Sequence, residues 1–307
     1  MSVREDISNE LHKQIRRNFP TRHVELKGIA DLYQADLVEM IPFSKLNRGY
    51  KYILTMINCF TKFAFAIPLK TKKSNEIVKA LLPILRTNKM KHLQTDKGKE
   101  FYNIPVQSLL NNFNVNHYST FSDKKATIIE RFNRTLKNHM WKWFTANGTY
   151  TWVDVLPELI TKYNNTVHRT INMRPVDVNI NNEKKVLSQI NKNRVKINKK
   201  PPKFQVGDRV RISKYKKVFA KGYLPNWTNE VFSVYSINQT VPITYTLKDD
   251  KGNVLKGSFY EQEISKTKYG DVFLIEKILK RKGDKLFVKW LGYDKSHNSW
   301  VDKKRIV

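Results

Sequence analysis

Three acidic residues lie in apolar or amphipathic stretches of a chain that is otherwise strongly basic. Asp36 is inside "YQADLVEM", Asp96 follows "MKHLQT", and Glu130 is near the start of "ATIIERFNRTLK". A carboxylate in an apolar strand is costly unless it is paired or binds a metal. Carboxylate oxygens bind hard divalent cations, and two cations about 3.5–4 Å apart can activate a hydroxyl and stabilise a leaving oxygen in phosphoryl transfer. The three acids therefore indicate two-metal chemistry on a phosphodiester.

A single acid at a strand end is more often a turn or cap residue. We interpret four other acids of this region in that way: Asp31, Glu39, Glu100 and Asp123.

The elements around the three acids predict a mixed sheet covered by helices. Three β-rich runs, "LYQADLVEM", "YKYILTMINCF" and "KFAFAIPLK", are typical of an antiparallel meander. Helical and strand patterns then alternate from "SNEIVKALLPILRT" to "VNHYST". Two longer helical patterns follow, "ATIIERFNRTLKNHMWKWFTAN" and "TWVDVLPELITKYNNTVHRT". This order predicts the α/β class.

Charge and composition favour nucleic acid as the partner. The 307 residues include 57 Lys and Arg against 27 Asp and Glu, for a net charge of +30. Such an excess is typical of proteins that a polyanion neutralises. The 12% aromatic content argues against a disordered basic tail.

The cysteine and histidine content excludes two common kinds of site. Cys59 is the one cysteine, so neither an intrachain disulfide nor a cysteine-rich zinc site is possible. The histidines show no ligand spacing, and no zinc is expected. No signal peptide or long apolar run is evident, so we expect a soluble, intracellular protein that is not secreted and has no membrane partner.

The strings around the three acids resemble the acidic motifs of retroviral-type integrases. They are "ADLVEM", "QTDKGKEF" and "KATIIERFNRTLK". The resemblance implies an RNase H-like catalytic core with a mixed five-stranded sheet flanked by helices. It also implies that Asp36 would bind both of two Mg²⁺ or Mn²⁺ ions, while Asp96 completes one site and Glu130 the other. The 33 residues between Asp96 and Glu130 are fewer than usual, which predicts a shorter loop before the helix.

Cationic residues next to the acids are candidate DNA contacts. Lys97 and Lys99 follow Asp96 directly. Helical spacing places three residues on the Glu130 face, at i+3, i+4 and i+7: Asn133, Arg134 and Lys137. The alternative is that the cations are merely solvated; beside the three acids, we favour contact with a DNA end.

The C-terminal third predicts two small β modules. "FQVGDRVRISKYKKVFAKGYLPNWTNEVFSVYSI" resembles the SH3-like domain of integrases, most closely those of Polinton (Maverick) elements and virophages. Five cations crowd one predicted hairpin and are candidate DNA contacts: Arg209, Arg211, Lys214, Lys216 and Lys217.

The last segment, "LIEKILKRKGDKLFVKWLGY", resembles a chromodomain. The resemblance places Phe273, Trp290 and Tyr293 in a methyl-lysine cage, which would act by cation–π attraction, and assigns Trp300 to the core. The alternative is a structural or DNA-binding module with a chromodomain shape.

We therefore predict five segments: a basic arm (1–24), the RNase H-like core (25–180), a basic linker (181–203), an SH3-like DNA-binding domain (204–266) and a chromodomain (267–307). The expected function is 3′-end processing and strand transfer by a DNA integrase of a Polinton-like element or virophage. The alternatives are a catalytically inactive chromatin-binding protein and an RNase H-type nuclease. Expected partners are double-stranded DNA, a methylated histone tail and further copies of the chain in a tetramer. The expected location is the host nucleus, or a virion.

Overall fold

The chain is described here from a computed structural model. The structure describes residues 2–16, 18–22, 24–119, 126–192, 201–214 and 223–303. Two compact units divide the chain. The core unit comprises residues 23–195, and the terminal unit comprises residues 1–22 together with residues 196–307.

Helices and strands alternate in the core unit, whereas strands dominate the terminal unit. The α-helices are α1 Val3–His12, α2 Ser74–Thr87, α3 Ile104–Asn112, α4 Thr127–Asn147, α5 Leu156–Asn164 and α6 Glu183–Lys192. The strands of the core unit are β1 Leu32–Glu39, β2 Tyr52–Asn58, β3 Ala64–Leu69, β4 His92–Thr95 and β5 Asn116–Ser119. Those of the terminal unit are β6 Arg209–Ile212, β7 Phe232–Asn238, β8 Thr244–Lys248, β9 Phe259–Tyr260, β10 Ile264–Lys266, β11 Ile275–Lys282, β12 Lys285–Trp290 and β13 Ser299–Asp302. Within these described ranges, none of the helices combines the length and apolar character needed to span a bilayer.

The core unit contains a mixed sheet with the strand order β3-β2-β1-β4-β5. Strands β1, β2 and β3 form an antiparallel meander, whereas β4 runs parallel to both β1 and β5. The expected mixed five-stranded sheet with flanking helices is confirmed. Because β1 and β4 are parallel neighbours, their carboxyl ends lie at the same edge of the sheet.

Helices cover both faces of this sheet because its strands alternate apolar side chains to either side. On one face, Leu54 and Met56 pack in a cluster with α2 and α3. On the other face, Ile53 and Ile57 pack with Ile129 and other apolar residues of α4 and α5. Helix α4 is thereby pressed onto the central strands, at the level of the acidic residues.

The segment predicted as a linker (181–203) is partly structured, so that prediction was wrong for α6. Val186 and Ile190 are buried in a cluster that also contains Leu26 and Phe60. Their i, i+4 spacing forms a narrow apolar stripe, which the surrounding Asn and Lys residues obscured. Residues 193–200 lie outside the described part of the chain. The second long helical pattern also ends early, because α5 stops at Asn164.

The terminal unit contains two antiparallel sheets. One has five strands in the order β10-β6-β7-β8-β9, and the other has three in the order β11-β12-β13. The first sheet encloses an apolar cluster that includes Val210, Val234, Tyr245 and Leu247.

Helix α1 belongs to the terminal unit, which corrects the expectation of a simple basic arm. Ser2 and Glu5 form a capping box at its start. Ile7 and Leu11 are buried against Trp227, whose indole nitrogen donates to the Lys13 carbonyl at 2.9 Å. The i, i+4 apolar pair explains why a polar segment packs: its apolar side chains share one stripe of the helix.

Candidate active site

The parallel pairing of β1 and β4 brings Asp36 and Asp96 to the same level of the sheet. Leu32 pairs with His92, and Gln34 pairs with Gln94. Two residues further along each chain come Asp36 and Asp96, and neighbouring strands are about 4.8 Å apart. The period-two alternation of side chains places Asp36 on the face that carries Gln34, and Asp96 directly follows the last residue of β4. This register therefore brings Asp36, in the middle of β1, close to Asp96, at the end of β4.

Two hydrogen bonds that involve polar side chains attach helix α4 to strand β1. The buried Gln34 donates from Nε2 to Gln94 Oε1 at 2.9 Å, and its own Oε1 accepts from the Ile129 backbone N–H at 2.9 Å. One turn later, Asn133 Nδ2 donates to Asp36 Oδ2 at 2.8 Å. Glu130 lies between these two attachments, on an exposed part of the helix. The third acid is thus carried to the other two by α4.

The three carboxylates interact electrostatically. Burial raises the pKa of Asp36 above its ordinary value, and the negative charges of Asp96 and Glu130 raise it further. Hydrogen bonds from the Leu37 N–H, at 2.8 Å, and from Asn133 oppose this rise in pKa. The net increase means that the ionised form of Asp36 lacks sufficient positive compensation. A cation at this position would supply it.

The three carboxylates are suitable ligands for a hard divalent ion, although their side chains do not surround a single point in this structure. Within the described ranges, no group of three or more His, Cys, Asp or Glu side chains is close enough to enclose a metal. Asp96 and Glu130 are both exposed, so their side chains can rotate towards Asp36. The buried Asn133 Oδ1 has no hydrogen-bond partner, and water on a bound cation would be a suitable donor. Carboxylate oxygens next to an unsatisfied amide oxygen therefore fit Mg²⁺ or Mn²⁺.

The chain after Asp96 is folded back on itself. Asp96 Oδ1 accepts from the Gly98 N–H at 3.0 Å, and Tyr102 stacks on His117 with ring centroids 4.5 Å apart. Lys97 and Lys99 are exposed on this turn. Their ammonium groups are therefore accessible to a ligand approaching Asp96.

The predicted DNA contacts of α4 divide into two groups. Arg134 and Lys137 are exposed, as a contact with DNA requires. Asn133 is only 7% exposed, and its amide nitrogen donates to Asp36. Because the nucleic acid cannot reach a buried amide, Asn133 is corrected from a DNA contact to a residue that positions Asp36.

The cations of the predicted β hairpin differ more widely in exposure. Arg211 is 3% exposed, lies 3.6 Å from Glu10 and donates to the carbonyls of Thr228 and Asn229. Its prediction as a DNA contact was wrong, because its guanidinium is used inside the terminal unit.

Arg209 is held by Asp250, Ser233 and the Gly270 carbonyl. Its guanidinium is therefore also largely committed within the unit. Lys214 is exposed, and Lys216 and Lys217 lie outside the described residues.

The three rings predicted as a methyl-lysine cage are neighbours. Phe273 lies 5.9 Å from Trp290 and 5.5 Å from Tyr293, in edge-to-face contacts. Tyr293 is buried and its hydroxyl accepts from the Val231 N–H at 3.2 Å. Trp300 was expected in the core but is 45% exposed; it lies on the edge strand β13 and packs against Phe287.

Sequence reasoning missed Gln34 and Glu10. A signal for Gln34 exists, since a polar residue in an apolar strand two positions before Asp36 must share its face. For Glu10 the chain offers no such signal, because its partner Arg211 is about two hundred residues away.

Comparison with known proteins gives consistent family matches. A family model described as the integrase core domain matches residues 30–122. An uncharacterized transposon-derived protein of Caenorhabditis elegans is 35% identical over 213 residues, which are 69% of this chain and 71% of that protein. The retrovirus-related Pol polyprotein from transposon 412 of Drosophila melanogaster is 25% identical over 179 residues, which are 57% of this chain and 14% of the polyprotein. The Pol polyprotein of radiation murine leukemia virus is 30% identical over 122 residues, which are 38% and 21%, respectively.

Two solved structures were also found to be similar to part of this chain. The HTLV-2 integrase catalytic core domain in complex with magnesium has 17% sequence identity and a TM-score of 0.41, covering 48% of this chain and 95% of that one. The catalytic core domain of BIV integrase has 14% identity and a TM-score of 0.40, covering 48% and 92%.

Proposed function

Since the chain belongs to the integrase core domain family, we propose that it is a DNA integrase of a Polinton-like mobile element or a virophage. The observation that carries this proposal is the convergence of Asp36, Asp96 and the α4 helix of Glu130. The register of β1 and β4 supports the first pairing, and the bonds of Gln34 and Asn133 support the second.

The proposed reaction has two phosphoryl-transfer steps. In 3′-end processing, a water oxygen bonds to a phosphorus near the end of the element DNA, and the 3′ oxygen leaves as a hydroxyl. In strand transfer, that 3′-hydroxyl oxygen bonds to a phosphorus of the target DNA, and the target's own 3′ oxygen leaves. The first step is a hydrolysis and the second a transesterification. In each, one phosphorus–oxygen bond forms and one breaks, and the leaving 3′ oxygen takes up a proton equivalent to the one that the attacking oxygen loses.

Asp36, Asp96 and Glu130 would hold two Mg²⁺ or Mn²⁺ ions, which supply charge neutralisation and activation of the attacking oxygen. The protein contributes the placement of these carboxylates. Lys97, Lys99, Arg134 and Lys137 would bind the phosphates on either side of the reacting bond, since they are exposed cations on the two elements that carry Asp96 and Glu130. Asn133 would keep the Asp36 carboxylate oriented.

Double-stranded DNA is the proposed partner, both as element ends and as target, in the host nucleus or a virion. A tetramer would hold two ends together for concerted joining. In the terminal unit, Lys214 is an exposed candidate for DNA contact, and the ring cluster around Phe273 is the candidate site for a methylated histone tail.

The test compares two Glu→Gln variants of the full chain on DNA carrying element-like ends with Mg²⁺ or Mn²⁺. Glu130→Gln removes a proposed ligand, whereas Glu158→Gln changes an exposed glutamate in the first turn of α5. We expect end processing and strand transfer to fall to background in Glu130→Gln and in Asp96→Asn, with DNA binding retained. Full activity is expected in Glu158→Gln.

A second candidate is a catalytically inactive DNA-binding protein, favoured by the absence of a closed ligand cluster among the described residues. It would be supported if the unmodified chain bound DNA but processed no DNA end with either metal. Preferential cleavage of RNA–DNA hybrids would instead support an RNase H-type nuclease.

The histone-tail partner is tested separately with matched peptides. If the cage acts on methylated ammonium, a trimethyl-lysine peptide binds better than the unmodified one, and Trp290→Ala removes the difference. Equal retention of both peptides would leave the three-stranded sheet as a structural or DNA-binding module.

A further inference from the structure

A cavity of about 330 Å³ in the core unit is not used by the proposed reaction. It lies between the first half of α4 and the segment that follows α5. Five residues of α4 line the cavity, and their spacing of i, i+3, i+4, i+7 and i+11 places them on one face of the helix. This face is offset from the one that carries Glu130 and Asn133. The polar and aromatic residues that matter in this cavity are Lys62, Arg131, His139, Tyr163, His168 and Arg169.

The cavity is lined by cations without counter-charges. None of the described residues that line it is an aspartate or a glutamate. Lys62 is 6% exposed, and its ammonium donates to the Cys59 carbonyl at 2.5 Å. Arg131 and Arg169 are exposed, and neither forms an ion pair within the part of the chain that the structure describes. Two guanidinium groups and one buried ammonium therefore share this space.

The pKa values of His168 and Lys62 are both lowered, in part by neighbouring positive charges that no acidic residue among the described lining of the cavity compensates. Burial lowers the pKa of His168 to about 4, and the charges of Lys62, Arg131 and Arg169 contribute to the decrease. Burial also lowers the pKa of Lys62 to about 8; the coupling to Cys59 opposes that decrease, and the charge of Arg131 adds to it. An anion in the cavity would relieve the mutual repulsion of these cations.

The donor chemistry favours phosphate over a simple carboxylate. Guanidinium groups bind phosphate oxygens in a bidentate manner, and a lysine ammonium adds a point charge. His168 Nδ1 accepts from the Thr170 N–H at 3.2 Å, so the neutral imidazole carries its proton on Nε2 and is a further donor.

The size and the apolar lining favour a ligand larger than a bare phosphate ion. Cavities that bind small ligands start at about 300 Å³. Besides its cations, this cavity is lined by Phe132, Tyr163, Ile57 and Val167. Phe132 and Ile57 are buried beneath the cavity, whereas Tyr163 is half-buried and Val167 is exposed. The Tyr163 ring is therefore the surface on which a nucleobase can stack.

We propose that this cavity binds one phosphate-bearing nucleotide unit, with Arg131, Arg169 and Lys62 around the phosphate and Tyr163 against the remainder. The nucleotide comes either from a DNA strand that passes α4 or from the free nucleoside monophosphate pool. Both sources present the same phosphate ester. The binding needs no metal ion and no catalysis, so it stands or falls independently of the proposed integrase activity.

The experiment is titration calorimetry of the full chain with deoxyadenosine monophosphate, without metal and at 150 mM salt. At this salt concentration the Debye length is about 8 Å, so non-specific attraction between the basic chain and the phosphate is screened. Deoxyadenosine is the matched ligand control. Arg131→Gln and Arg169→Gln remove one exposed guanidinium each. Arg86→Gln is the matched protein control, because Arg86 is exposed on α2, which packs on the other face of the sheet.

We expect the monophosphate to bind and deoxyadenosine to bind at least tenfold more weakly. Each of Arg131→Gln and Arg169→Gln should weaken binding by about tenfold or more, the usual effect of losing a charged hydrogen bond. Circular dichroism should show that both variants remain folded, since neither arginine is buried. The proposal is overturned if the two ligands bind equally, or if Arg86→Gln weakens binding as much as Arg131→Gln does.

The source of the nucleotide is identified by competition. A single-stranded oligonucleotide that displaces the monophosphate from the unmodified chain, and equally from the control Arg86→Gln, assigns the cavity to a DNA strand. Retention of the monophosphate in the presence of saturating oligonucleotide assigns it to a free nucleotide. Lys62→Gln is a second test of the phosphate position, with thermal denaturation as its folding control.

Discussion

Replacing Gln34 by methionine tests whether this buried amide fixes the position of helix α4. Gln34 is 1% exposed and bonds at once to Gln94 and to the backbone of Ile129. Methionine has a similar length but neither accepts from the Ile129 N–H nor donates to Gln94. The change therefore removes the side-chain attachment at the start of α4, while the apolar packing of the helix remains.

The expected loss of stability follows from these bonds. The Ile129 N–H is in the first turn of α4, where no carbonyl of the helix itself is available to it. A buried donor left without a partner costs about 1–3 kcal/mol. Gln94 also interacts with another group, so the loss of its bond to Gln34 is left out of the energy. Only the unpaired Ile129 N–H is counted. We expect the free energy of unfolding of the core unit to decrease by about 1–3 kcal/mol.

Two measurements on the full chain check this prediction. Urea denaturation should show the decrease in the transition of the core unit, and hydrogen exchange should become faster at the first turn of α4. Strand transfer should fall in parallel, because Glu130 lies one residue beyond the lost attachment. Gln189→Met on α6 is the matched control, since Gln189 is only half-buried and makes no side-chain hydrogen bond in the described chain.

A folded Gln34→Met protein with unchanged stability, unchanged exchange at α4 and unchanged strand transfer would refute this reasoning. Loss of activity with unchanged exchange at α4 would also contradict it, because the defect would then not arise from the helix position.

Two further predictions concern buried charged and reactive groups. Glu10→Gln leaves the Arg211 guanidinium without its carboxylate, and we expect the terminal unit to lose about 3 kcal/mol of stability in thermal denaturation. Glu276→Gln, which breaks the more exposed pair with Lys289, should cost less than about 1 kcal/mol; equal losses would contradict the distinction. Burial raises the pKa of Cys59 to about 12, so a thiol reagent at pH 8 should label the protein only after denaturation. Labelling of the native chain would show that this thiol is accessible.

Much of the core unit could be predicted from the sequence, because its signals are local. Apolar, β-rich runs indicate β1–β3, and the amphipathic pattern from Thr127 indicates α4. Arg134 and Lys137, which the helical spacing groups with Glu130, are exposed on α4, as Glu130 is. Predictions were less accurate where the charged and polar residues of a segment outnumbered its apolar ones, as in α1 and α6, each of which buries two apolar residues.

The sequence by itself determined the strands, the long helix and the types of side chain available for the site, since these depend on patterns within a few residues. Only the tertiary structure decided which polar groups are accessible and which are committed. Asn133 faces Asp36 across 97 positions of the chain, and Arg211 is neutralised by Glu10 from the opposite end. Burial and pairing arise from contacts between distant segments, and an asparagine or arginine carries no local mark of the partner it will meet.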